Sequence, residues 1–163
     1  PGMAGSALNW PQENYRNLIE KLSSEMPVVV TGTLADMPYL SQLEEVKHRP
    51  NVIWLVGELK TSELLDLLSQ ALSVVAPSTG VLHLAASLGT RALGLYSPRP
   101  VEHPRRWGPR GLYVRYLVPS VDQPNDVGPD VMKELRVSDV FTTLINLENS
   151  DAAVNQPVTQ PSL

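Results

Sequence analysis

The sequence predicts an α/β protein with a parallel, doubly wound sheet, and three observations carry that expectation. Short apolar runs rich in β-branched residues, such as Val28-Val29-Val30-Thr31 and Val52-Ile53-Trp54-Leu55-Val56, read as buried strands. Between them lie stretches of roughly ten residues with apolar side chains at helical spacing. The two kinds of segment alternate from residue 11 to residue 96, and such alternation means βαβ crossovers with helices against both sheet faces.

Each element follows from its own residues. Tyr15, Leu18, Ile19 and Leu22 fall at i, i+3, i+4 and i+7, with Asn9 or Trp10 as cap and Pro11 in the first turn, so residues 11–23 form an amphipathic helix. A strand over 27–31 stops at Gly32. Met37, Leu40, Leu43 and Val46 predict a helix over 36–47, followed by a strand over 51–56. Thr61 caps a Leu-rich helix over 62–71, which leads into a strand over 73–76. Residues 79–88 form a helix stopped by Gly89, and 91–96 the next strand. Beyond Tyr96 the pattern changes to a Pro- and Arg-rich loop over 97–111, an edge strand over 113–117 and another loop over 119–129. Ser138 caps a closing helix through Leu147. One domain over 1–147 is expected, and the polar residues 148–163 read as a disordered tail.

Composition removes several functions. The 163 residues contain no cysteine, which excludes disulfides, zinc–thiolate sites and thiol nucleophiles. Lys and Arg number 13 against 17 Asp and Glu, a net charge of −4 that argues against nucleic-acid partners. No apolar run has the length of a membrane span, and the first residues lack the pattern of a signal peptide. No G-x-S-x-G elbow and no H-E-x-x-H or EF-hand spacing is present, so neither a hydrolase triad nor a metal site is expected. The opening at Pro1, inside a Gly-rich loop, suggests a piece of a longer protein.

In an open parallel sheet ligands bind beyond the carboxyl ends of the strands. The turn Ala76-Pro77-Ser78-Thr79-Gly80 leads from a strand into a helix, where unpaired N–H groups and the positive dipole end face one spot, making it a candidate anion site against the plainer reading of a capped helix. His83, one turn on, can reach back toward the same anion or pack on the sheet. Gly2-Met3-Ala4-Gly5-Ser6-Ala7 is a second candidate cradle, of weak spacing. The Arg residues of loop 97–111 can complement a diphosphate or lie solvated at the surface.

Residues 1–11, Val30-Thr31-Gly32, Leu55-Val56-Gly57-Glu58-Leu59 and the block Ser78-Thr79-Gly80-Val81-Leu82-His83-Leu84-Ala85-Ala86 together resemble the C-terminal half of glycosyltransferase family 9. This family holds the ADP-heptose:lipopolysaccharide heptosyltransferases and their relatives. The likeness runs in order from Pro1 to about Leu147. It implies one Rossmann-like half of a GT-B enzyme, the donor-binding half. It further implies that Ser78, Thr79, Gly80 and His83 hold the donor diphosphate, with Ser6 in the Gly-rich opening as another donor contact. Asp36 would meet the ribose, where its plainer role is a helix N-cap, and Leu59 the adenine.

Two departures matter. Characterised heptosyltransferases have Asp at Ser78 and Lys at Leu8, so either this chain takes a different donor or Arg105, Arg106 or Arg99 supplies the counter-charge. What the resemblance implies overall is inverting, metal-independent sugar transfer without a cofactor, from a nucleotide-sugar donor, ADP-heptose, to a lipopolysaccharide core-type acceptor bound by a further domain. That domain would carry the base, so this piece alone is expected to be inactive. A bacterial, cytoplasmic setting, peripheral at the inner membrane, is expected with it. A non-catalytic nucleotide-binding or interaction domain that keeps the fold is the alternative.

Overall fold

A computed structural model describes residues 7–149. The element order follows the predicted alternation. Helix α1 (Gln12–Ser23) precedes β1 (Val28–Gly32), and after two 3-10 segments, Leu34–Tyr39 and Ser41–Val46, comes β2 (Val52–Val56). Then follow α2 (Thr61–Gln70), β3 (Ser73–Pro77), α3 (Gly80–Ser87), β4 (Arg91–Leu95), the single turn α4 (Pro104–Trp107), β5 (Val114–Leu117), a 3-10 segment Pro129–Glu134 and α5 (Val137–Glu148).

Among the described residues the strands form two parallel groups. β1 pairs with β2 from Val28↔Val52 to Gly32↔Val56. β4 lies between β3 and β5, with Leu95 opposite both Pro77 and Leu117. Period-two alternation divides β3, β4 and β5 between two cores, while β1 and β2 contribute to the first alone. Leu93 and Leu95 of β4 pack with α1 and α5, together with Val30, Val56 and Leu117, whereas Ala92 and Tyr96 pack with Leu68 of α2 and Leu82, Ala85 and Ala86 of α3. Helices cover both faces, as a doubly wound sheet requires.

Local chemistry accounts for the element ends. Gly89 has φ +81°, donates to the Ala86 carbonyl at 3.2 Å, and is followed by the Thr90 N–H on the Ala85 carbonyl at 3.0 Å. That 5→2 and 6→1 pair is a Schellman stop, available to glycine because the left-handed region costs it nothing. The Arg91 guanidinium donates to the Leu147 carbonyl at 3.1 Å, placing a cation at the carboxyl end of α5, and the Ser73 hydroxyl donates to Glu148. Both contacts fasten α5 to the first residues of β3 and β4 and leave their carboxyl ends uncovered by it. At the other end of α5, buried Trp10 donates its indole N–H to the Leu135 carbonyl at 2.7 Å and meets the Tyr15 ring edge-on at 4.9 Å.

Several expectations need correction. The helix expected over 36–47 is two 3-10 segments that meet at Leu40, whose φ −115° and ψ 10° interrupt the helical run. Loop 97–111 contains α4, and the segment after loop 119–129 contains a 3-10 helix. Thr61 is the first residue of α2, where the Glu63 carboxylate accepts the Lys60 N–H at 2.7 Å. Arg136, not Ser138, is the N-cap of α5. Of the tail expected from residue 148, Glu148 ends α5, and residues 150–163 lie outside the described residues, as does Ser6.

Candidate functional site

The turn between β3 and α3 has the features of an anion site. Pro77 ends the strand, buried, and Thr79 is the N-cap residue in extended conformation. No side chain caps α3: the Thr79 hydroxyl turns back to donate to the Pro77 carbonyl at 3.3 Å. The amide of Leu82 is met by the Thr79 carbonyl at 3.1 Å, and the amides of Gly80 and Val81 precede it at the positive end of the helix. Gly80 is exposed, and a Cβ built on it would find nothing within 4 Å. Its φ is not in the left-handed region, since among the described glycines only Gly57 and Gly89 have positive φ. Glycine here therefore keeps space open rather than relieving strain. His83 lies exposed on the same helix, which excludes the sheet-packing alternative.

Ser78 does not cap the helix. Its side chain stands beside the phenol of Tyr96, the residue directly after β4, and opposes the rise of that group's pKa. Tyr96 donates to the Trp107 carbonyl of α4 at 2.9 Å. Burial, with the neighbouring Tyr116 phenol adding to it and the Ser78 side chain opposing, pushes the Tyr96 hydroxyl up to about 12, so it is a neutral donor across the physiological range.

Arg105 and Arg106 are exposed on α4 with no carboxylate partner among the described residues. The Arg106 guanidinium rests over the Trp107 ring at 5.3 Å. The His103 ring accepts the Arg105 backbone N–H at 3.2 Å, and burial together with the Arg105 charge lowers its pKa. Arg99 is occupied differently. It donates twice to the Val127 carbonyl, at 3.1 and 2.6 Å, and pairs with Glu102 at 3.4 Å. Glu102 also accepts the Leu8 backbone N–H at 3.1 Å. Arg99 is thus a tether joining loop 97–111 to the segment before the last 3-10 helix, which removes it from the candidate counter-charges. Beside Leu8 stands a carboxylate, already neutralised by Arg99.

Asp36 and Leu59 belong to the other strand pair. The Asp36 carboxylate accepts the backbone N–H and the hydroxyl of Thr33 through one oxygen, both at 2.8 Å. Thr33 is the N-cap and Asp36 closes a capping box, so the N-cap role expected of Asp36 falls one turn earlier. The Gly57 N–H donates to the Gly32 carbonyl at 2.8 Å, joining the ends of β1 and β2, and Leu59 lies half-buried just beyond. Gly57 has φ +78°, and a Cβ there would stand 2.4 Å from Leu34 Cδ2.

Sequence reasoning missed Tyr96, Tyr116 and Glu102. Two tyrosines at the ends of predicted strands read as ordinary core residues, and only spatial proximity reveals that their hydroxyls converge on α4. Among the described residues no group of His, Asp and Glu converges as a metal site, and no helix is long and apolar enough to cross a membrane.

Comparison with known proteins gives this geometry its context. Residues 1–132 match the family described as glycosyltransferase family 9 (heptosyltransferase). The chain is 24% identical over 117 residues to lipooligosaccharide heptosyltransferase 2 of Haemophilus influenzae, covering 69% of this chain and 34% of that protein. It is 26% identical over 98 residues to lipopolysaccharide heptosyltransferase 2 of Escherichia coli, covering 58% and 28%. The fold is similar to E. coli ADP-heptose lps heptosyltransferase II, with TM-score 0.77, 20% identity and coverage of 91% of this chain and 44% of that one. It is also similar to E. coli heptosyltransferase WaaC with ADP, with TM-score 0.71, 21% identity and coverage of 89% and 42%. The chain spans about a third of the length of these curated relatives and less than half of the solved structures. It has the fold of one part of a GT-B glycosyltransferase, and the chain belongs to glycosyltransferase family 9.

Proposed function

We propose that this chain is the donor-binding domain, over residues 1–147, of an inverting glycosyltransferase that takes a nucleotide sugar, ADP-heptose, and passes the sugar to a lipopolysaccharide core-type acceptor. The observation that carries the reading is the uncapped start of α3 with Gly80 open beside it, in a chain of this family. Solved relatives of the same fold hold ADP and an ADP-2-deoxy-2-fluoro heptose, which supports an adenine nucleotide as ligand.

In this reading the amides of Gly80 and Val81 meet the diphosphate, and Arg105 and Arg106 neutralise the charge that grows on it as the glycosidic bond breaks. Ser78 and His83 flank the same anion, Asp36 offers its second carboxylate oxygen to the ribose, Leu59 faces the adenine, and Ser6 of the Gly-rich N-terminal sequence adds a contact. The acceptor hydroxyl loses its proton to a base in the remaining part of the enzyme. Such an enzyme works in the cytoplasm against the inner membrane, where its acceptor is anchored. The carboxylate beside Leu8 favours a second reading, in which the domain binds nucleotide without catalysing transfer.

Calorimetric titration of the chain with ADP, UDP and GDP tests the assignment. With half of the cleft absent, the expected dissociation constant for ADP is on the order of 0.1 to 1 mM, or about 4 to 5.5 kcal/mol. Preference for UDP or GDP would overturn the adenine assignment.

A further inference from the structure

We propose that Tyr96 is a positioning residue: it holds the arginine-bearing turn α4 at a fixed distance from the Ser78–Gly80 turn, so that both act on one bound diphosphate as a single unit. The inference rests on the donor-site reading above and adds to it a residue that touches no ligand.

The geometry begins with the number of hydrogens. A phenol has one O–H to give, and Tyr96 gives it to the Trp107 carbonyl at 2.9 Å. Pro77 pairs with Leu95, so Ser78 and Tyr96 follow side by side at the ends of β3 and β4, with the Ser78 side chain next to the phenol. The ring itself cannot wander. It is fully buried, and it meets the Tyr116 ring edge-to-face at 5.5 Å and 85°. A Cβ on Gly94 would stand 2.5 Å from its Cε2, so glycine in the middle of β4 makes the room for it.

The second phenol completes a clamp. Tyr116 donates to the Pro109 carbonyl, so two tyrosines hold carbonyls on either side of Gly108, the C-cap of α4. A Cβ on Gly108 would come within 2.6 Å of the Pro104 carbonyl and 2.8 Å of the Tyr116 oxygen, so this close approach needs glycine. A single helical turn of four residues has no cooperative stability of its own and keeps its place through tertiary contacts. The positions from which Arg105 and Arg106 reach out are therefore set by the two phenols, and Tyr96 alone of the pair also stands beside Ser78 of the candidate anion turn.

The test combines two measurements on the full chain. Hydrogen exchange at the Gly108 amide, which donates to the Pro104 carbonyl at 2.7 Å, reads the clamp without any nucleotide and should quicken at least tenfold in Tyr96→Phe. ADP titration of wild type, Tyr96→Phe, Ser78→Ala, the double variant Arg105→Ala/Arg106→Ala, and the combinations of Tyr96→Phe or Ser78→Ala with the arginine changes then reads the coupling. Tyr96→Phe and the arginine variant should each weaken ADP 3- to 10-fold in wild-type background. The arginine changes should cost less than 2-fold once Tyr96 is Phe, because unanchored arginines contribute little. Ser78→Ala, at a half-buried turn position, repeats the comparison should Tyr96→Phe lose its folding transition. Wild type that binds ADP while Tyr96→Phe binds equally well, or losses that simply multiply, would overturn the positioning role. Wild type that binds no ADP would instead overturn the donor-site reading, with Gly108 exchange still reporting on the clamp.

Discussion

Replacing Gly80 by valine separates the fold from the proposed anion site. Gly80 opens α3, is exposed, does not need a left-handed φ, and a Cβ added to it would meet no atom within 4 Å. Valine is a slightly better helix former than glycine, so the change in stability should stay within about 0.5 kcal/mol. The branched side chain would occupy the volume in which a phosphate oxygen must sit to reach the Gly80 and Val81 amides. Charge-assisted hydrogen bonds of this kind contribute roughly 1.5 to 3 kcal/mol each, so impairing both should cost about 2 to 4 kcal/mol in binding. That is roughly a 30- to 700-fold weaker affinity, which moves a submillimolar ADP constant out of calorimetric range. Thermal unfolding followed by circular dichroism checks the fold, and titration with ADP checks the site; Gly80→Ala should fall between the two. A Gly80→Val chain that melts like wild type and binds ADP with unchanged affinity would refute the assignment of the anion to this turn.

Three further outcomes follow from the packing and the titrating groups. Gly94→Ala forces a methyl to 2.5 Å from the Tyr96 ring and 2.8 Å from Leu82 Cδ2, both buried, so chemical denaturation should report a loss of about 1 to 3 kcal/mol. Trp10→Phe leaves the buried Leu135 carbonyl without its indole donor and opens a void, and should destabilise the chain by roughly 2 kcal/mol in the same assay. His103 has a pKa below its unfolded value of 6.5, so its contribution to stability is complete above pH 6.5 and declines as pH falls toward the lowered value. Trp107 fluorescence, reporting on α4, should follow that decline and lose its pH dependence over this window in His103→Gln.

The alternation of elements was legible because each depends on local chemistry: β-branched runs for the strands, the 3.6-residue period of α1 and α5, and Gly89 for the stop after α3. The helix expected over 36–47 failed because its apolar spacing is met as well by two 3-10 segments with a break at Leu40, the second of which buries Leu43 and Val46. The turn Ser78-Thr79-Gly80 could be singled out because a strand-to-helix turn brings free amides and the positive dipole end to one spot, while the absence of a side-chain cap there emerged only from the structure. What the sequence could not express is which long-range partners each side chain takes. Arg99, Arg105 and Arg106 are alike on the chain. Only folding gives Arg99 to the Val127 carbonyl and Glu102 and leaves the other two exposed on α4. Likewise Ser78, Tyr96 and Trp107 lie far apart in sequence, and Ser78 comes beside Tyr96 because parallel pairing sets the carboxyl ends of β3 and β4 side by side, while the Tyr96 hydroxyl reaches the Trp107 carbonyl. The sequence by itself determined most of the elements and marked the candidate anion turn, through interactions within a few residues. Tertiary structure alone decided which arginines stay exposed and which phenols hold α4, because those contacts depend on strand order and on two glycines, Gly94 and Gly108, whose missing side chains let the tyrosines approach.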